Sequence, residues 1–206
     1  SVLNCAPFYK LIEEFQHIQP KTEIILTEEV LGGGWDALSD DRCDLVIGAP
    51  GAPPTTGFAI HSLGHVGFDF AVSAGHPLTE LAQPIPASAI QDYPTVIVAD
   101  SSRHLPARSS GLLDGRSRII VPTIDHKIEA QCKGLGVGYL PHHRILQELA
   151  DGRLEILALD APRPPSEISI AWPRGNTGKG LKWFVDRLKQ MQFDQEHGVI
   201  VKGKVD

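Results

Sequence analysis

The chain has 206 residues, of which 42% are hydrophobic, 21% charged and 6% aromatic. That composition excludes disordered and fibrous classes and is enough for a sizeable core. Acidic residues outnumber basic ones 25 to 19, a net charge of −6. A surface of that sign repels phosphate and argues against nucleic-acid binding by this chain itself.

The first predicted element is a helix. Pro7 suits a first turn, where its missing N–H costs nothing, and Phe8, Leu11, Ile12 and Phe15 share one helical face. Pro20 stops it. Glu23 to Thr27 reads as a short strand, Gly32-Gly33-Gly34 as a link, and Trp35 to Leu38 as a second short helix ending before Arg42. Asp44 to Ile47 lacks polar alternation, which predicts a parallel strand covered on both faces. The Pro-, Gly- and Thr-rich stretch 50–57 breaks the rhythm. Two strands, Phe58 to Ile60 and Phe68 to Val72, follow with Gly64 between them. Alternation then resumes: helix Ser88–Gln91, strand Thr95–Val98, strand Arg118–Val121, helix Asp125–Lys133, strand Val137–Leu140 and helix Arg144–Leu149. Strands Leu154–Leu157 and Ile168–Trp172 come next, then a helix over Gly180–Met191 with Leu181, Phe184, Val185 and Leu188 in one stripe. Gly198 to Val201 reads as an edge strand. Alternation, an antiparallel-looking pair, then alternation again predict an α/β fold of two lobes joined by crossing segments. Such sheets bind ligands at the carboxyl ends of their strands.

No run approaches the ~18 to 20 apolar residues of a membrane span, so no membrane partner is expected. Cys5, Cys43 and Cys132 stand far apart, with no CxxC pair, which fits a reducing, cytoplasmic compartment. Met191 is the only methionine, which reads as a chain cut from a longer one.

The chemical motifs each have a plain alternative. Gly134-Leu135-Gly136-Val137-Gly138 precedes a strand, the reverse of a phosphate loop, and reads as a helix cap and tight turn. Gly32-Gly33-Gly34 follows a strand but lacks the Lys-Ser/Thr pair of a P-loop. Nine histidines include His61 and His65 in strand-like sequence and the adjacent His142-His143, with no metal-ligand spacing, so no metal or cofactor is expected. No nucleophile elbow is present, so no catalytic residue is expected. Asp100-Ser101-Ser102-Arg103 directly follows a strand. It reads either as a hydrogen-bonded turn or as a polar anchor, with Arg103 pairing a ligand carboxylate. Thr123 reads as a helix N-cap or as a hydroxyl offered to an anion beside free helix N–H groups.

Taken together, Pro7 to Phe15 leading into Glu23-Ile24, Trp35-Asp36-Ala37-Leu38 leading into Arg42 to Gly48, Ala74 to Leu78, Ile90 to Pro94, Gly134 to Pro141 and Asp151 to Leu154 resemble the effector-binding domain of LysR-type transcriptional regulators. The order and spacing run over nearly the whole chain. The resemblance implies two Rossmann-like lobes of the periplasmic-binding-protein type around a small-molecule cleft: lobe I from residues 1–64 plus 174–206, lobe II from 65–173. It implies effector contacts at Ser1 and Asn4, at Gly48, Ala49 and Pro50, at Asp100, Ser101, Ser102 and Arg103, at Thr123 and Ile124, and at Pro141 and His142. A small aromatic or organic acid suits these groups, with Phe8 and His142 flanking a ring. The resemblance further implies no enzyme activity, a homodimer or tetramer contacting through the first and final helices, and DNA contact only through a winged helix-turn-helix domain preceding this one. Ser1-Val2-Leu3-Asn4 aligns with the loop after the family's first strand, so that strand is expected to be missing. A solute-binding protein of a transport system is the alternative with the same two-lobe plan.

Overall fold

The computed structural model describes residues 2–108, 111–194 and 198–202. Helix α1 spans Ala6–Ile18 with Pro7 in its first turn, and Phe8, Leu11 and Phe15 form its buried stripe. The last N–H bond of this helix runs from Gln19 to Phe15 O at 2.8 Å, and Pro20, with no N–H to give, follows. Helix α2 is Gly33–Ser39, with Trp35 and Leu38 buried. Then come β1 (Val46–Pro50), β2 (Phe58–Val66), β3 (Phe68–Ser73), β4 (Pro94–Val98), β5 (Ser117–Val121), α3 (Ile124–Cys132) and β6 (Gly138–Pro141). The chain continues through α4 (Leu146–Ala150), β7 (Leu154–Ile156), β8 (Ser166–Pro173), α5 (Lys179–Leu188), β9 (Met191–Asp194) and β10 (Val199–Lys202). Ser88–Gln91 is part of a 3₁₀ turn, Ala87–Asp92. Gly134, at φ 68°, closes α3, with its N–H on Gln131 O and that of Leu135 on Ala130 O. That is the expected helix cap.

The chain divides into two compact units, one made of residues 1–2, 66–100 and 108–165, the other of 3–65, 101–107 and 166–206. In the first unit β3 is the centre of an antiparallel sheet ordered β6-β3-β7, and β4 pairs in parallel with β5. A parallel bridge from Thr95 to Val137 sets β4 beside the start of β6. Phe70, Val72, Val137 and Tyr139 line one face of the antiparallel sheet, with Leu78, Ile85 and Ile90 packed on it. Ala71, Leu140 and Leu154 line the other, against Ile128 of α3 and Ile145. Gln131 staples α3 to this sheet: its Nε2 donates to Ala71 O at 2.7 Å and Gly138 O at 3.1 Å.

In the second unit β8 is the central strand of a sheet ordered β1-β8-β2. Trp35, Leu38, Ala49, Phe58 and Ala171 make its core. Phe15 of α1 packs against Phe184 and Trp183 of α5, with ring centroids 4.9 and 5.2 Å apart.

Several expectations need correction. Glu23 to Thr27 forms no strand, and Ile25 and Leu26 are exposed. Among the described residues no strand runs beside this stretch, and without a ladder its backbone is left to water. The β1 strand is antiparallel to β8, not parallel, and only Ala49 of it is buried. Strand β8 was expected in the second lobe but belongs with residues 3–65, because its pairing partners are β1 and β2. Gly64 lies inside β2 rather than between strands, and α5 ends at Leu188, so that Met191 opens β9. The edge strand near Gly198 pairs with β9 in a separate hairpin.

Candidate functional site

In the first unit five expected site residues come to one sheet edge. Asp100 follows β4, Thr123 and Ile124 follow β5, and Pro141 ends β6 with His142 directly after it, all at the carboxyl ends of neighbouring strands that run parallel. This is where open α/β sheets present ligand-binding groups. Asp100 Oδ2 accepts the Arg108 N–H at 2.6 Å, tying together the two ends of the 101–107 segment. Thr123 is the N-cap of α3: its Oγ1 accepts the His126 N–H at 3.2 Å and lies 2.8 Å from His126 Nδ1. Its hydroxyl is thereby committed to the cap. His142 is half-exposed, with Nδ1 on Asp69 Oδ2. The adjacent His143 reaches Val2 O at 2.8 Å, and burial lowers its pKa.

Lys127, which sequence reading missed, lies on the buried face of α3 at 6% exposure. Its Nζ sits over Gly138, where an added Cβ would stand 3.3 Å from the amine and 3.1 Å from Val96 O. The bare Cα of Gly138 thus spares the amine that crowding, in the seam between β4 and β6. Burial pulls the pKa of Lys127 down to about 8, with the charge of Arg163 adding to the effect. A signal was available: Ile124, Lys127, Ile128 and Gln131 fall at helical spacing on one face. On the other side of the sheet the Arg163 guanidinium lies 3.5 Å above the ring centroid of Phe68, at a pocket of about 490 Å³ that Tyr139 and Asp69 also line.

In the second unit Ser101 and the Arg103 backbone belong to a network centred on Asp36, with Ser102 between them in the chain. That carboxylate is fully buried and accepts from the N–H groups of His104 (2.8 Å) and Leu105 (2.7 Å) and from Arg42 Nη2 (2.7 Å). These hydrogen bonds, the Leu105 N–H first, hold its pKa far below the ordinary carboxylate range. Arg42 Nη1 reaches Glu29 Oε1 at 2.8 Å, and Glu29 Oε2 accepts from Ser101 Oγ at 2.6 Å. Ser101 Oγ also accepts the Val30 N–H at 2.8 Å, so this hydroxyl is engaged within the unit. Arg103 is exposed.

The remaining expected residues are less ligand-like. Gly48 has φ 91° at a register shift of β1, a β-bulge, and its Cα faces Leu3. Ala49 is buried in the core, and Pro50 O accepts the Trp35 indole N–H at 2.9 Å. Asn4 Oδ1 accepts the Ala6 N–H at the start of α1. Ser1 lies outside the described residues. Among the described residues no group of three or more His, Cys, Asp or Glu is placed to hold a metal ion, and no helix is long and apolar enough to cross a membrane.

Residues 3–192 match the family model of the LysR substrate binding domain. The chain belongs to this family. As a LysR substrate-binding domain it is 31% identical over 180 residues to the HTH-type transcriptional regulator PunR of Escherichia coli, covering 87% of this chain and 58% of the relative. It is 33% identical over 176 residues to the HTH-type transcriptional activator AllS of Salmonella typhimurium, covering 84% and 56%. The chain thus spans little more than half the length of the curated relatives it matches. Among solved structures, the LysR-type fold is shared with the Synechocystis CcmR regulatory domain in complex with 2-PG, at TM-score 0.68 and 20% identity over 88% of this chain and 89% of that one. The effector-binding domain of QuiR in complex with shikimate matches at TM-score 0.63 and 15% identity, over 89% and 88%.

Proposed function

We propose that this chain is the effector-sensing domain of a LysR-type transcription regulator that meets DNA through a separate N-terminal domain and works as a homodimer or tetramer. The observation that carries the reading is the gathering of Asp100, Thr123, Ile124, Pro141 and His142 at the carboxyl ends of β4, β5 and β6. Regulators are the relatives that cover most of this chain, which favours sensing over solute transport. An effector acts by binding one conformation better than another, and its differential affinity sets how far it can shift the balance. For self-association the exposed Tyr9 and Ile18 of α1 are the favoured contacts: light scattering should report a dimer, and Tyr9→Glu should shift it towards monomer.

Thermal melting against small organic acids, phosphate esters and neutral metabolites tests the sensing reading. A ligand at ~100 times its Kd adds about 2.7 kcal/mol to folding, a rise of roughly 5 to 10 °C for a domain of this size. The same compound should change transcription from a promoter that the full-length protein controls. A series in which nothing moves the melting point counts against the reading.

A further inference from the structure

Buried charges in folded proteins are paired, because removing an ammonium from water is costly unless a counter-charge replaces the lost hydration. Lys127 departs from this. Its Nζ has no hydrogen bond or ion pair among the described residues, and every nearby acid on its own element is directed elsewhere. Asp125 pairs with Arg144, and Glu129 with Lys133. Strands β4 and β6, which flank the amine, carry no acidic residue, and β5 contributes only the cation Arg118. Asp69 of β3 is held by His142. The charged group that does act on Lys127 is another cation, Arg163.

Lys127 as a residue keeps 6% of its surface exposed, so it is not wholly sealed in. Val96 and Gly138, which flank it, lie two and three residues before Val98 and Pro141, the last residues of their strands. The N-terminus of α3, positive by its backbone dipole, stands at the same edge. Gly138 eases this placement, since a Cβ there would stand 3.3 Å from the amine and push it aside by a few tenths of an ångström. A cation is thus held without a counter-ion beneath an edge where ligands bind.

We propose that Lys127 is the counter-charge for an oxyanion group, a carboxylate or a phosphate, on the effector of this domain, and that the ligand supplies the negative partner the protein withholds. This deepens the sensing reading and rests on it. The ligand-free domain carries an unsatisfied charge, and the bound anion removes that cost, so occupancy is coupled directly to stability.

The test is thermal melting of the wild type, Lys127→Met and Lys127→Arg at neutral pH. Each is measured in chloride and then in inorganic phosphate or in succinate at matched ionic strength. The wild type should melt higher in one of the two oxyanions, and which one separates phosphate from carboxylate recognition. Lys127→Met should melt higher than the wild type in chloride and bind the oxyanion about tenfold or more weakly, the loss expected for a charge-assisted hydrogen bond. Lys127→Arg should keep part of the response. Three results each overturn the proposal: no response of the wild type to either anion, equal responses of wild type and Lys127→Met, or a folded Lys127→Met that melts lower in chloride. If Lys127→Met does not fold, acetic anhydride labelling of the wild type read by mass spectrometry decides. Protection of Lys127 by the oxyanion supports the proposal, and equal labelling overturns it. A neutral metabolite that stabilises wild type and Lys127→Met alike overturns the assignment of Lys127 but leaves the sensing reading in place. Failure of every metabolite, charged or neutral, removes both.

Discussion

Asp36 receives the N–H of Leu105 at 2.7 Å, although 69 positions separate them in sequence. The bond, with its neighbour from His104, moors the 101–107 segment to the first turn of α2. Arg42, on the other carboxylate oxygen, neutralises the charge that this mooring buries.

Replacing Asp36 should therefore separate two roles. In Asp36→Asn one amide oxygen still accepts both backbone N–H groups, and only the pairing with Arg42 is lost. In Asp36→Ala all three bonds are lost and Arg42 keeps only its other acidic neighbours, so urea unfolding should rank wild type above Asn, and Asn above Ala. The pKa of Asp36 is lowered by folding, so its stabilisation is complete above the ordinary value of 3.8 and is lost as pH falls towards the folded value. The stability gap between wild type and Asp36→Asn should accordingly narrow below about pH 4.

Lys127 carries the opposite sign. Its pKa falls from 10.5 to about 8 on folding, so its charge opposes folding in full below pH 8, and the cost fades as pH rises towards 10.5. The shift corresponds to about 3 kcal/mol. In ligand-free buffer Lys127→Met should unfold at higher urea than the wild type at pH 7, with the difference shrinking by pH 10.

A side chain at Gly33 should loosen the same mooring. A Cβ there would stand 1.9 Å from Ser101 Oγ and 2.7 Å from Glu29 Oε2, so one of them must move. Gly33→Ala should cost about 1 to 3 kcal/mol as an overpacked contact, and adding Ser101→Gly should recover most of it. Failure of that rescue in denaturant titrations would place the damage elsewhere.

Cys43 should be a poor redox sensor. Burial, ahead of its charged neighbours, pushes its thiol up to about 11, and reactivity follows the thiolate. Iodoacetamide at neutral pH should label it far more slowly than it labels free cysteine, and unfolding in urea should abolish the difference.

What the sequence could show follows from which interactions are local. The stripes of α1 and α5 were legible because helical spacing alone decides which side chains face inward, and Phe8, Phe15, Val185 and Leu188 are buried. The ends of β4, β5 and β6 were legible because a short apolar run and the turn or cap residues after it are also local signals. Glu23 to Thr27 was misread because strand-like composition says nothing about whether a neighbour is available, and among the described residues none is. The direction of β1 was misread because burial on both faces was inferred from apolarity, whereas β8, more than a hundred residues later, sets its pairing. The Ser101 hydroxyl looked free for a ligand because its acceptor, Glu29, lies 72 positions away. Lys127 was overlooked because a lysine in a helix is ordinarily solvated.

Neither compact unit is continuous in sequence, and this constrains synthesis on the ribosome. The unit holding α1, α2 and β1 obtains the central strand of its sheet only from residues 166–173. Until that segment leaves the exit tunnel, β1 and β2 have no common neighbour. The other unit is complete once residue 165 has emerged. The middle of the chain should thus mature first, while the amino-terminal helices wait, exposed and in need of protection from aggregation, for a strand made well over a hundred residues after them.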